Sequence, residues 1–314
     1  MRRTGSEPPA RRAGRRPAVR AAAGLALIAA GWGCSLAGLE PVRRYWFQLV
    51  WFGYILAADG AVLARTGSSL LSGNSRRLAA LAAVSAAFWW LYELENQHLR
   101  NWFYVGDERL SPLARVLLDT VAFATVLPAL AESRDLLRSF VRLPDPPALA
   151  LPRRTAASAT GAGLACAVLL WYFPDQTFPL VWVAPLLVLD GLAALRSRPS
   201  ALALVRAGRA GPVLLVALAG LATGVLWELW NEGAVPHWSY RVPYVGSAKV
   251  FEMPLLGYLG YLPFALVADA VWRTVSGGWG GLVDAPVTDL GDAPDAGPGI
   301  SAEDHPQRSP QVRD

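Results

Sequence analysis

Lysine is almost missing from this chain: Lys249 is the single one among 29 basic residues. The other cations are arginines gathered in particular loops, a distribution that reads as membrane topology and not as a nucleic-acid surface. Cysteine is nearly as scarce. Cys34 and Cys166 both fall inside apolar segments, which argues against a disulfide framework and suggests small packing residues. Charged residues make up only 17% of the chain, against roughly 25% for soluble domains. His98 and His237 lie near glutamates but without a His-x-x-His spacing, so no metal is expected. P-loop, dinucleotide, nucleophile-elbow and paired-cysteine motifs are all missing, and no cofactor is expected.

What fills the space is hydrophobic: 54% of the residues, in several runs near the ~20 needed to cross a bilayer as a helix. The expectation is an all-α integral membrane protein of about eight transmembrane helices. Residues 1–20 form a basic arm read as disordered, and 274–314 an acidic Gly/Pro-rich tail read likewise. Between them, 21–132 reads as a four-helix membrane repeat, 133–154 as a polar linker and 155–273 as a second four-helix repeat. The predicted helices are 21–39, 46–64, 78–94, 113–131, 155–173, 178–195, 212–230 and 250–272.

The repeat is carried by matched motifs. Glu93 and Asn96, then Trp102 and Tyr104, match Glu228 and Asn231, then Trp238 and Tyr240. Asp59-Gly60 matches Asp190-Gly191, and Leu127-Pro128 matches Leu262-Pro263. Apolar composition can align Leu with Val by chance, but not these polar anchors in one order. Four helices per copy would give the halves the same orientation, two tandem parallel repeats about an axis along the membrane normal.

Arginine-rich loops at 65–77, 133–154 and 196–210, with the basic arm, fall on one side. The positive-inside rule puts that side, and both termini, in the cytoplasm of a cell-membrane protein. Glu93 with Asn96, and Glu228 with Asn231, then lie at the outer ends of their helices, each pair on one helix face. Glu252 enters from the outer end of the last helix, and two-fold packing would bring the three carboxylates to a shared outer pocket.

An acidic group in a membrane helix is costly enough to suggest function, here acid/base chemistry by Glu228, Glu252 and Glu93 with Asn231 and Asn96 beside them. The bland reading is helix ends solvated among headgroups. Trp102, Tyr104, Trp238 and Tyr240 belong to an aromatic set that reads either as an interfacial belt or as the lining of a pocket. Asp59 and Asp190 lie deeper, as a helix–helix polar contact or an ion relay. Three classes follow: an enzyme acting on a lipid or isoprenoid, a transporter or channel using the Asp pair, and a membrane scaffold. Membrane lipids are the expected partners, and oligomeric state is not encoded in any motif.

The block Trp227-Glu228-Leu229-Trp230-Asn231, Trp238-Ser239-Tyr240 and Phe251–Tyr258 resembles a family of uncharacterised bacterial multi-pass membrane proteins. That resemblance implies a bacterial membrane protein and carries no activity. A remoter similarity is to the small membrane-embedded lycopene cyclases, tandem helical repeats with a Trp-x-aromatic element before a Pro/Glu motif. Here Phe251-Glu252-Met253-Pro254 has one Glu in a different order, and the repeats have four helices where theirs have three.

Overall fold

The computed structural model describes residues 9–277 except 41, 74, 107–109, 153 and 245–247, with side chains from residue 16 onward. The tail beyond 277 and the first part of the basic arm lie outside these residues. Helix α1 runs Pro9–Leu36, so the later part of the expected arm is helical. Then come α2 (Trp46–Thr66), α3 (Ser75–Leu99), strand β1 (Trp102–Val105), α4 (Pro112–Phe123) and α5 (Val126–Phe140). The second half has α6 (Thr155–Tyr172), the short α7 (Pro174–Thr177), α8 (Leu180–Leu195), the short α9 (Ala201–Arg206) and α10 (Ala210–Glu232). It closes with β2 (His237–Tyr240), β3 (Lys249–Val250), β4 (Met253–Pro254), a 3₁₀ turn at Leu255–Gly260 and α11 (Tyr261–Ser276).

Among the described residues, seven helices are long and apolar enough to cross a membrane, α4 and α5 counting as one and α11 with its preceding 3₁₀ turn as another. The apolar α8, at 16 residues, is shorter. Large apolar side chains stay exposed on the bundle's outside, among them Leu91, Leu94, Leu113, Leu164 and Val168. A water-soluble chain seldom leaves so much apolar surface uncovered, whereas a membrane-embedded one does. The protein is a multi-pass, membrane-embedded helical bundle.

Two boundaries depart from expectation for a local reason. The segment expected as a linker from residue 133 continues α5 to Phe140, with Glu132, Ser133, Arg134 and Asp135 all buried. Three of these side chains find partners inside, Arg134 with Asp135 at 2.8 Å and Ser133 Oγ with Tyr54 and Thr223 at 2.7 and 2.8 Å, whereas both Glu132 carboxyl oxygens are buried without a hydrogen bond. The last helix starts at Tyr261, not at 250, because Val250–Gly260 is taken up by the β3–β4 hairpin and the 3₁₀ turn. Glu252 therefore sits on a hairpin and not in a helix.

Pro128 and Pro263 both fall at the third position of their helices, where a missing N–H costs no helical bond. The break between α4 and α5 is stapled from α3: Ser85 Oγ donates to Phe123 O and accepts from Leu127 N at 3.0 Å.

Asp59 and Asp190 have matching jobs. Asp59 Oδ1 accepts from Leu71 N at 2.7 Å, and Asp190 accepts from Ala201 N and Leu202 N at 2.7 and 2.8 Å. Each carboxylate thus ties down the chain twelve residues on, and each also holds an arginine, Arg20 for Asp59 and Arg273 for Asp190. The glycine after each aspartate lets two helices touch: a Cβ on Gly60 would fall 2.5 Å from Ala21 N, and one on Gly191 2.5 Å from Thr160 Oγ1. The Asp-Gly pairs accordingly set α1 against α2 and α6 against α8.

Candidate functional site: an aromatic cavity backed by two glutamates

At the strand end of the bundle, β1 and β2 pair antiparallel, with Trp102 opposite Tyr240 and Tyr104 opposite Trp238. Each strand is hung from its own helix by an asparagine. Asn231 Nδ2 donates to Trp238 O and its Oδ1 accepts from Trp238 N, at 2.7 and 2.8 Å. Asn96 Nδ2 donates to Trp102 O at 2.7 Å, and its Oδ1 accepts from Asn101 N and Trp102 N at 2.8 and 3.3 Å. An amide side chain is needed at both places, since one group must donate and accept at once.

The strands' alternation then turns Trp and Tyr of each Trp-x-Tyr toward the glutamates. Glu93 Oε1 accepts from Trp89 Nε1 (3.0 Å), Trp102 Nε1 (3.0 Å) and the Tyr104 hydroxyl (2.6 Å). Glu228 Oε1 accepts from the Tyr240 hydroxyl (2.7 Å) and the Tyr261 hydroxyl (2.6 Å), while Trp238 Nε1 donates to the Tyr240 oxygen (2.7 Å). Glu228 and Asn231 have no exposed surface, whereas Glu93 and Asn96 are half-buried. Glu228 Oε2 is buried and accepts no hydrogen bond. Burial first, then the facing carboxylate, pushes the Tyr104 and Tyr240 hydroxyls well above their ordinary range. Both therefore remain protonated donors.

In front of these dyads lies a cavity of about 110 Å³. Its walls include Trp102, Tyr104, Trp238, Tyr240 and Tyr261, together with Trp89, Trp182, Trp227, Phe123 and Phe264. Trp89 and Trp227 face each other with ring centroids 5.0 Å apart, and Phe264 stands edge-on to Trp182 at 5.4 Å. Trp46, Trp51, Tyr92, Trp227 and Trp230 all pack inward, which is not the arrangement of an interfacial belt; Trp171, Tyr172 and Tyr244 are among the exposed aromatic residues.

The three expected carboxylates do not share one pocket surface. Glu93 and Glu228 stand behind the aromatic wall, reaching the cavity through tyrosine and indole groups. Glu252 is about a third exposed and bonds Ser239 Oγ at 3.2 Å and Lys249 Nζ at 3.4 Å. His98 stacks on Trp171 at 4.2 Å, and its Nε2 lies 2.9 Å from Trp171 O. Asp59 and Asp190 are at the other end of the bundle. Asp107 and Glu108 of the upstream loop lie outside the described residues.

Nothing in the sequence marks Tyr261, which sits in an apolar run, yet it supplies a donor to Glu228. The one available signal is Gly224, four residues before Glu228: a Cβ there would stand 2.3 Å from the Tyr261 ring. Gln48, Arg44 and Asp119 also reach the cavity without a motif to announce them.

No family model matches the chain, and no curated protein or solved structure matches it. What the protein is similar to must be judged from its own site.

Proposed function

We propose that this is a membrane-embedded enzyme acting on a lipid or isoprenoid, with Glu228 as acid/base and the aromatic cavity as the place where the apolar part of the substrate sits. The observation that carries the reading is the Glu228 dyad: one carboxylate oxygen takes the hydroxyls of two tyrosines that line the cavity, and the other oxygen is buried with no partner. That geometry lets a proton pass between Glu228 and a cavity-bound molecule by way of a hydroxyl. The facing indole and phenyl rings add electron-rich faces suited to a positively charged or unsaturated reacting group. Glu93 is the parallel group, its Oε1 taking three donors, and in this reading holds the opposite wall.

Eight spans in two tandem parallel repeats are part of the proposal, with α8 as a short span. The matched Asp-Gly contacts, the paired Asn-hung strands and the antiparallel β1–β2 pairing, which a two-fold between equivalent strands would generate, all support it. Arginine placement supports both termini, with their flanking arm and tail, on the cytoplasmic side, and the glutamate layer on the outer side. A transport path through Asp59 and Asp190 has less support, because both carboxylates are occupied by backbone N–H groups and arginines. A bare scaffold would have no use for the cavity.

The test is a comparison of membrane lipid extracts, by mass spectrometry, from cells with and without the gene. A lipid or isoprenoid species that appears or disappears only with the intact chain supports the proposal. Indistinguishable extracts at confirmed expression overturn it.

A further inference from the structure

Of the described residues in the cavity wall only Arg44 and Asp119 are charged, and both belong to the first half of the chain. Arg44 closes a 3₁₀ turn, Val42–Arg44, just ahead of α2. The residues after it hold this turn in place. Trp46 Nε1 donates to Trp230 O at 2.7 Å, and a Cβ on Gly233 would fall 2.8 Å from the Trp46 ring. Phe47, also in the wall, stands edge-on to Trp238 with ring centroids 5.3 Å apart. The backbone at Arg44 is thereby fixed close to β2 and to the end of α10.

What this arginine lacks is a partner. Arg44 is half-buried, and its guanidinium makes no ion pair or hydrogen bond among the described residues. Asp119 is engaged in an interaction of its own. Glu93 and Glu228 stand behind the aromatic wall, held there by tyrosine donors. A guanidinium partly withdrawn from water gains from an oxyanion, and its planar fork fits a phosphate through two parallel hydrogen bonds. The second half of the chain offers nothing comparable. The alignment of Phe47 with Phe178 puts Asp175 in the place of Arg44, and Asp175 is exposed and outside the wall. Every wall residue from that half is uncharged. The cavity can therefore hold a long molecule in one direction, with a charged head at Arg44.

We propose that the ligand is an apolar chain ending in a phosphate, and that Arg44 binds the phosphate while the chain runs in among the aromatic rings. This rests on the reading that the cavity holds a lipid or isoprenoid, and names its head group. A phosphate monoester has close to two negative charges at pH 7, so it gains more from one unpaired cation than a singly charged or neutral head does. Arg44 is a binding residue in this account and takes no part in proton transfer.

The experiment titrates the purified full-length protein, in nanodiscs of zwitterionic phosphatidylcholine, with geranylgeranyl phosphate and, separately, with geranylgeraniol. Intrinsic tryptophan fluorescence follows binding, since Trp89 and Trp227 line the cavity. The two probes share one chain and differ only in the head. The wild type should bind the phosphate at least about tenfold more tightly than the alcohol, the ratio expected for one charge-assisted hydrogen bond. Arg44→Gln should lose that preference and keep its affinity for the alcohol. Arg43→Gln, at an exposed neighbour outside the wall, should retain the preference. Inorganic phosphate alone should leave the fluorescence unchanged. Equal binding of both probes by the wild type overturns the proposal while leaving lipid binding intact. So does a preference that survives in Arg44→Gln, or one that falls as far in Arg43→Gln, as when arginines merely attract anions to the membrane surface. A response to inorganic phosphate as strong as to the lipid phosphate also overturns it. Binding of neither probe overturns the proposal together with the lipid reading on which it rests.

Discussion

The Tyr261 hydroxyl reaches Glu228 Oε1 at 2.6 Å across a gap that exists because residue 224 is glycine. The tyrosine ring lies against the backbone of α10 where any Cβ would stand 2.3 Å from it. In the upstream copy the corresponding place is filled by Trp89, whose indole N–H bonds Glu93 directly. The two glutamates thus reach similar donor-rich surroundings by different means.

Gly224→Ala should therefore push the Tyr261 ring away from α10 and lose its bond to Glu228. Overpacking of this kind costs about 1–3 kcal/mol. Thermal unfolding in detergent should show a lowered midpoint, and activity should fall with it. An unshifted midpoint with full activity would show that the ring contact does not hold the dyad.

The asparagines should rank by burial. Asn231→Ala leaves the Trp238 N–H and C=O without the partner that a fully buried side chain supplies, at about 1–3 kcal/mol for each unsatisfied group. Asn96 is half-buried, and water can replace part of what its loss removes. Asn231→Ala should lower the unfolding midpoint more than Asn96→Ala does; the opposite order would contradict the assigned roles.

Arg273 bridges Asp269 and Asp190 at 2.8 and 3.0 Å, with all three side chains largely buried. Arg273→Ala removes the counter-charge that these two buried carboxylates share, and breaking a buried pair by removing one partner costs about 3–5 kcal/mol. The variant should be poorly expressed or should unfold at markedly lower temperature. Near-normal stability would mean that solvent reaches this cluster.

Orientation can be read with single cysteines in a chain freed of Cys34 and Cys166. Arg241 follows β2 and Arg198 follows α8, and both are exposed. A membrane-impermeant thiol reagent added to intact cells should label Arg241→Cys and spare Arg198→Cys. The reverse pattern would invert the topology.

Much of this was legible because a bilayer imposes length and composition on whatever crosses it. The apolar runs marked the helices, and the recurrence of Glu-x-x-Asn with Trp-x-Tyr pointed to the residues now found around the cavity. Three features escaped for physical reasons. Four polar residues in a row at 132–135 look like the end of a span, because the partners of Ser133, Arg134 and Asp135 are set only by the fold or by rotamer. The Trp-x-Tyr elements read as loops, because four residues pair as a strand only with the distant copy. Glu252 looked helical from the apolar residues after it, while the β3–β4 hairpin holds it at the surface beside Lys249. A fourth, Tyr261, carries no motif of its own, and its packing against Gly224 reveals it.

The central claim is that Glu228 is the working carboxylate and Glu93 a supporting one. Glu228→Gln keeps the size of the side chain and an acceptor for Tyr240 and Tyr261 while removing the ionisable group. The most direct measurement is the lipid conversion found by extract comparison, repeated with Glu228→Gln and Glu93→Gln at matched membrane expression. The account predicts a loss of at least about 100-fold for Glu228→Gln, the scale of a missing general acid or base, and a smaller loss for Glu93→Gln. Full conversion by Glu228→Gln would contradict it.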